Sequence, residues 1–191
     1  MKKIFYILVI FLFKINIAYS LIEVDITRGN LDPLPIAVSP LHVDPQSDDY
    51  KDAKTKELGS LISSVVEKNF KSTGLFNPLN KDAFVQKPDI AHLKPRFEDW
   101  SLITAQALVT GKLLIKDEKL KIEFRLWDVA ANKEMIALAF TTTPSNWRRV
   151  AHIISDKIYE RLTGETGYFD TRIIYVSETG PRTQRIKKLA I

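Results

Sequence analysis

Residues 105–142 specify the architecture of this chain, and they read AQALVTGKLLIKDEKLKIEFRLWDVAANKEMIALAFTT. In their middle, Lys119 to Asp128 alternates between apolar and mostly charged positions. The apolar positions share one face of a strand: Leu120, Ile122, Phe124 and Leu126. Such alternation is typical of an antiparallel strand with one solvent-exposed face. Turns at 116–118 and 130–132 separate it from strand-like runs on either side, so the stretch predicts three consecutive strands.

Two amphipathic helices flank this meander. From Asp52 to Ser72, apolar residues recur at spacings of three and four, and Gly74 follows where a C-cap glycine belongs. The same spacing returns from Val150 to Leu162, after a helix start signal at Pro144 and before Gly164. We expect both helices to cover one face of the sheet.

The remaining segments are short and rich in proline. Pro35–Pro40 predicts a short strand bracketed by prolines, and the polar run from His42 to Tyr50 predicts a loop. Between residues 75 and 95 we expect mostly loop, with a short strand near Ala83–Val85. Phe97–Ile103 predicts a short helix. The fold class is therefore α+β: a mixed β-sheet with two amphipathic helices on one face.

The first twenty residues predict a secretory signal peptide. Lys2 and Lys3 precede the apolar run Ile4–Phe13, and Ala18 and Ser20 supply the small residues that a signal peptidase needs. A membrane anchor is the alternative, but this run is shorter than the roughly 20 residues needed to span a bilayer. We expect cleavage after Ser20, secretion of the remaining chain, and no membrane insertion afterwards.

The C-terminal residues predict the beginning of a second unit. A Gly-x-x-Gly joint starts at Gly164, and strands are expected at Arg172–Ser177 and Arg185–Ile191 around a turn. Two strands make about half of a four-stranded propeller blade. We therefore divide the chain into a signal peptide (1–20), an α/β domain (21–164), and a linker with the first strands of an incomplete β-propeller blade (165–191).

Composition narrows the classes of function. The chain has no cysteine, which excludes a disulfide framework and thiolate metal sites. Its net charge of +5 comes from its ends, because residues 1–20 hold three lysines, and residues 172–191 hold five basic residues against one acid. The domain between them is slightly acidic. Nucleic acid is therefore not an expected partner.

Residues with potential chemistry form no recognisable catalytic or metal-binding pattern. His42, Asp44, Asp48 and Asp49 lie together, but their spacing matches no calcium or zinc motif, and a solvated turn explains them better. No nucleophile motif or phosphate-binding glycine loop occurs. We expect no enzyme activity, no metal and no cofactor. A small-ligand pocket near Trp100 or Trp127 is the alternative kind of site.

The candidate binding feature is the segment that follows the signal peptide. It alternates between apolar and polar residues: Leu21, Ile22, Glu23, Val24, Asp25, Ile26, Thr27 and Arg28. The alternation predicts a strand, which either packs on the chain's own sheet or pairs with the open sheet edge of another protein. The sequence pattern leaves both alternatives open.

Five stretches carry a resemblance to the TolB family of the Tol–Pal cell-envelope system: Glu23–Thr27, Pro35–Pro40, Ser72–Phe76, Phe97–Trp100 and Phe169–Val176. The resemblance implies an N-terminal α/β domain followed by a six-bladed β-propeller, of which residues 165–191 would be a truncated start. It implies a non-enzymatic periplasmic scaffold that links inner- and outer-membrane components, maintains outer-membrane integrity and supports invagination during cell division.

The resemblance also implies partners. In such proteins the residues after the signal contact the C-terminal domain of TolA, which would assign that contact to Leu21–Arg28 here. The propeller binds the lipoprotein Pal, so Pal is a partner only where the propeller is present. The alternative function is a periplasmic small-ligand-binding or envelope-assembly domain.

Overall fold

The computed structural model describes residues 22–24, 32–172 and 174–190. A mixed sheet of six strands forms the centre, with β1 (Leu34–Val38), β2 (His42–Val43), β3 (Phe76–Pro78), β4 (Ala107–Lys116), β5 (Lys119–Asp128) and β6 (Lys133–Thr142). The strand order is β3–β1–β4–β5–β6, and β2 pairs with β4. Pairs among β1, β2, β3 and β4 are parallel, whereas β4–β5 and β5–β6 are antiparallel.

The three-strand meander is confirmed. In β5, the side chains of Leu120, Ile122, Phe124 and Leu126 are buried on one face, as the alternation predicts. The β4–β5 pairing runs without interruption from Ala107 opposite Asp128 to Lys116 opposite Lys119. The β5–β6 ladder contains one bulge, at Leu126 and Trp127, near the end of β5.

Both long helices are confirmed. Helix α1 (Ala53–Thr73) begins after Asp52, whose carboxylate accepts a hydrogen bond from Lys54 N, and ends at Gly74 with φ 71°. The last long helix, α4 (Trp147–Thr163), ends at Gly164 with φ 76°. Both glycines adopt the left-handed conformation that a C-cap requires. The apolar faces of α1 and α4 pack with the sheet in the main core.

Two short strands differ from the sequence prediction. His42–Val43 forms β2 beside Lys112–Leu113 of β4, where the sequence predicted a loop. The predicted strand near Ala83–Val85 is wrong, because Lys81–Ala83 form a 3₁₀ turn. The strand lies at Phe76–Pro78 instead, where the buried Phe76 pairs with the start of β1. Proline is tolerated there because β3 is an edge strand.

The opposite face of the sheet carries a second, smaller core. Helix α2 (Pro88–Ala91) and helix α3 (Phe97–Leu102) pack there. The smaller core comprises Ala37, Ala91, Trp100, Ala105, Leu108 and Val129. The α3 helix was predicted from the sequence, but its packing on the second face was not. The sheet is therefore covered on one face by the two long helices and partly covered on the other.

The C-terminal residues form an antiparallel hairpin of β7 (Tyr175–Thr179) and β8 (Ile186–Ala190), near the predicted strands. Most of its residues are exposed. In the described part of the chain, no helix has the length and apolar character needed to cross a membrane.

Candidate partner-binding segment

Three residues of the predicted binding segment are described: Ile22, Glu23 and Val24. The other five, Leu21, Asp25, Ile26, Thr27 and Arg28, lie outside the described residues. Ile22–Val24 belong to no strand of the structure, so the alternative in which they join the chain's own sheet is wrong for these three residues. The reason is that the backbone N–H groups of Ile22 and Val24 donate to acceptors that do not belong to a neighbouring strand's backbone.

Two backbone hydrogen bonds attach this segment to the domain. Val24 N donates to Leu162 O at 2.6 Å, near the C-terminal end of α4. Carbonyl groups in the last turn of a helix have no partner within the helix, so Val24 supplies one that is otherwise missing. Ile22 N donates to Asp128 Oδ2 at 3.1 Å, at the end of β5. The segment therefore connects a helix end to a strand end.

Side-chain packing follows the alternation that the sequence predicts. Ile22 and Val24 are half-buried against the main core, and Glu23 is exposed. Full burial of such an aliphatic side chain contributes about 1.5–3 kcal/mol. Half-burial of two side chains therefore stabilises the docked segment by about 2 kcal/mol.

The Asp128 carboxylate is the group that sequence reasoning missed. The residue is 1% exposed. Its Oδ1 accepts a hydrogen bond from Ala131 N at 2.8 Å, which fixes the turn into β6, and its Oδ2 accepts the bond from Ile22. The only sequence signal is an acidic residue at a strand end, and nothing local relates it to a segment 106 positions away.

The joint after α4 contacts the same helix. The Asp156 carboxylate accepts hydrogen bonds from Phe169 N at 2.7 Å and Asp170 N at 3.0 Å. Tyr159 meets Phe169 edge to face, with ring centroids 5.9 Å apart. Gly167 passes so close to Asp156 that a Cβ there would overlap it. Helix α4 thus holds the N-terminal segment and the joint within its C-terminal half.

A comparison with known protein families identifies the family to which this domain belongs. The family model described as "TolB amino-terminal domain" matches residues 22–135, which is more than half of the chain. The chain belongs to the TolB amino-terminal domain family. The family resemblance seen in the sequence is thereby confirmed.

Two relatives illustrate how far the similarity extends. The "Tol-Pal system protein TolB" of Pelagibacter ubique (strain HTCC1062) is 68% identical over 188 residues, which are 97% of this chain and 42% of the relative. The chain therefore spans less than half of that relative's length. The crystal structure of TolB from Acinetobacter baumannii aligns with a TM-score of 0.59 at 22% identity, covering 76% of this chain and 32% of that one. This second likeness confirms the fold.

In this TolB-family chain, the carboxylates of the acidic loop accept backbone hydrogen bonds that stabilise turns. Asp44 Oδ1 accepts a hydrogen bond from Gln46 N, and Asp48 Oδ2 accepts one from Asp117 N at 2.9 Å. Among the described residues, no group of three or more histidine, aspartate or glutamate side chains is placed to hold a metal ion.

His42, which the sequence grouped with these acids, packs elsewhere. Its ring stacks on His92 with centroids 4.6 Å apart. Burial lowers the pKa of His42 below its usual value of 6.5, and His92 lowers it further.

The tryptophans give little support to a ligand pocket. Trp100 is buried, and its Nε1 donates to Gln86 Oε1 at 3.0 Å. Trp127 Nε1 donates to Thr110 Oγ1 at 2.9 Å. Each indole donor is therefore already used within the domain. An open depression of about 430 Å³ lies beside α3, lined by Phe97, Glu98, Ser101, Leu102, Val129, Ala130 and Asn132.

Proposed function

We propose that this chain is a non-enzymatic periplasmic component of the Tol–Pal system. Its N-terminal segment, Leu21–Arg28, contacts the C-terminal domain of TolA. Through this contact it links inner- and outer-membrane components, maintains outer-membrane integrity and supports invagination at division. Membership of the TolB amino-terminal domain family and the name of the 68% identical relative support the assignment.

The contact uses strand addition, in which an extended segment joins the open sheet edge of a partner through its backbone donors and acceptors. The observation that supports this mechanism is that few contacts attach Ile22–Val24 to the rest of the domain. Two hydrogen bonds and two half-buried side chains hold these residues in the docked state. Because the Val24 N–H already bonds to Leu162 O, it must leave that acceptor before it can join another sheet.

The proposed function requires that the chain is exported and that its signal peptide is removed. Residues 1–20 direct export and are removed after Ser20, so that the domain begins at Leu21 in the periplasm. The basic pair Lys2–Lys3 and the apolar run Ile4–Phe13 support this export route.

The C-terminal hairpin begins a β-propeller in this proposal. β7 and β8 pair only with each other within the described residues, and most of their side chains are exposed. An isolated hairpin is marginally stable in water, so further strands are needed to cover it. Residues 165–191 are thus the linker and first strands of the propeller, and Pal binds only where the propeller is present.

Replacing Val24→Pro tests the partner contact. Proline removes the backbone donor that strand addition needs, so affinity for the TolA C-terminal domain should fall at least tenfold, which corresponds to about 1.4 kcal/mol. The measurement is equilibrium binding of the processed chain (21–191) to immobilised TolA domain.

Asp32→Pro is the matched control, because it places proline at an exposed site outside the segment. Its affinity should equal that of the unmodified chain. Full affinity of the Val24→Pro variant would contradict strand addition.

A further inference from the structure

Two histidine rings stack where helix α2 meets the sheet. His42 of β2 and His92, the residue at which α2 ends, have ring centroids 4.6 Å apart and ring planes within 7° of parallel. His92 is buried, and His42 is half-buried. Because successive strand residues point to opposite faces, His42 faces α2 while its neighbour Val43 lies in the main core. The stacked pair is therefore part of the contact between α2 and the second face of the sheet.

Helix α2 depends on such tertiary contacts, because four residues are too few for a stable isolated helix. Ala91 is 1% exposed and belongs to the smaller core with Trp100 and Leu108. The backbone oxygen of His92 accepts a hydrogen bond at 2.9 Å from the guanidinium of Arg125 on β5. These contacts and the histidine stack hold α2 on the sheet. So short a segment can open locally while the sheet stays folded.

The charged groups around His42 make its contact with α2 sensitive to protonation. Burial is the main cause that lowers the pKa of His42, and His92 lowers it further. Asp89 on α2 and Asp44 after β2 raise this pKa, and Lys112 on β4 lowers it. Because the net direction is downward, His42 binds a proton more readily when α2 has separated and the ring is solvated.

We propose that α2 is an acid-operated cover: protonation of His42 releases Pro88–Leu93 from the sheet and exposes the part of the smaller core that Ala91 contacts. The added proton places a positive charge against the ring of His92. That ring moves with α2, because its Nδ1 donates to Pro88 O at 3.0 Å. This regulation goes beyond the proposed contact with TolA and does not depend on it.

The test follows amide hydrogen exchange in the processed chain (21–191) by NMR at pH 7.5 and pH 5.5. The amides are those of Ala91, His92 and Leu93, and their rates are converted to protection factors, which removes the effect of pH on intrinsic exchange. A single histidine that titrates at 6.5 when α2 is open can lower protection by at most about tenfold between these pH values. We expect protection to fall about three- to tenfold at the three amides. Unchanged protection would overturn the inference.

Urea separates opening of α2 from unfolding of the whole domain. The urea dependence of an opening reaction grows with the surface that the reaction exposes. At pH 5.5 and at urea concentrations below the unfolding transition, exchange at Ala91–Leu93 should change little, whereas exchange at the buried Val66 of α1 should rise steeply. Equal urea dependence at both places would mean that α2 opens only with the whole domain, which would overturn the inference.

His42→Gln removes the titrating ring and should abolish the fall in protection at the three amides. The matched control is His152→Gln, because it removes the third histidine of the chain, which lies on α4. This control should keep the fall. A fall that persists in a folded His42→Gln variant would overturn the inference. The pH and urea comparisons in the unmodified chain test it even where that variant does not fold.

Discussion

At Gly59, helix α1 lies directly against the backbone before β2. Leu41 N donates to Gly59 O at 3.3 Å, and a Cβ on Gly59 would overlap the carbonyl oxygen of Leu41. In an ordinary helix interior, replacing glycine by alanine stabilises by up to about 1 kcal/mol. The close approach reverses this sign, because the backbones must separate to admit the methyl group.

Gly59→Ala should therefore lower the free energy of unfolding by about 1–3 kcal/mol, as measured by urea denaturation. Ser60→Ala is the matched control, because Ser60 is exposed on the same turn of the helix. It should change stability by less than about 0.5 kcal/mol. A stabilised Gly59→Ala variant would be inconsistent with the contact.

The stacked pair His42 and His92 predicts a loss of stability in mild acid. Burial is the main cause that lowers the pKa of His42 in the folded state, followed by the charge of His92. Asp89 and Asp44 raise it, and Lys112 lowers it. The unfolded chain then binds more protons than the folded one, so stability is fully present above pH 6.5 and falls as pH drops toward the folded-state pKa.

Two measurements check this prediction. The NMR titration of the His42 ring protons should have a midpoint below 6.5, and the free energy of unfolding should decrease between pH 7 and pH 5. The His42→Gln variant should show a shallower decrease. A His42 midpoint at or above 6.5 would rule out the burial effect.

At the scale of elements, the joint after α4 is held by one carboxylate. Asp156 accepts the N–H groups of Phe169 and Asp170, and the rings of Tyr159 and Phe169 pack beside them. Asp156→Ala should therefore raise amide exchange at residues 169 and 170 about tenfold or more, because bonds to a charged acceptor contribute about 1.5–3 kcal/mol.

The control for the joint is Lys157→Ala, which removes only an exposed ion pair with Glu160. It should leave exchange at residues 169 and 170 unchanged. Unaltered exchange in the Asp156→Ala variant would mean that the joint is not held by this carboxylate.

Long periodic elements could be predicted from the sequence, and short ones could not. β5 alternates over ten residues, and α1 carries an apolar stripe between Asp52 and Gly74, so periodicity and caps identify them. β2 has two residues and β3 has three, which is too short for any period to appear. Pairing with β4 and β1 determines these strands, and that information lies far away in the sequence.

The candidate binding segment, too, could be predicted from the sequence only in part. Alternation separates the apolar Ile22 and Val24 from the polar Glu23, and in the structure the first two are half-buried while Glu23 is exposed. It did not predict the acceptors, because Leu162 O and Asp128 Oδ2 come close only after α4 and β5 have packed together. A tertiary contact of this kind leaves no local pattern.

At the scale of the whole molecule, the N-terminal segment stabilises the domain to which it is docked. A chain that begins at Asn30 lacks two half-buried side chains and the hydrogen bond from Val24 to Leu162 O. Loss of about 2 kcal/mol of burial should lower the melting temperature by about 4–8 °C relative to the chain that begins at Leu21. Circular dichroism should show the same helix and strand content in both chains, and equal melting temperatures would argue against docking.

The most direct measurement is calorimetric titration of the processed chain (21–191) against the TolA C-terminal domain from the same source, alongside the chain that begins at Asn30. The account predicts that the first chain binds and the second does not, because Leu21–Arg28 supply the strand that joins the partner. Equal binding by both chains would place the contact elsewhere on the domain and contradict the account, as would the absence of binding by either.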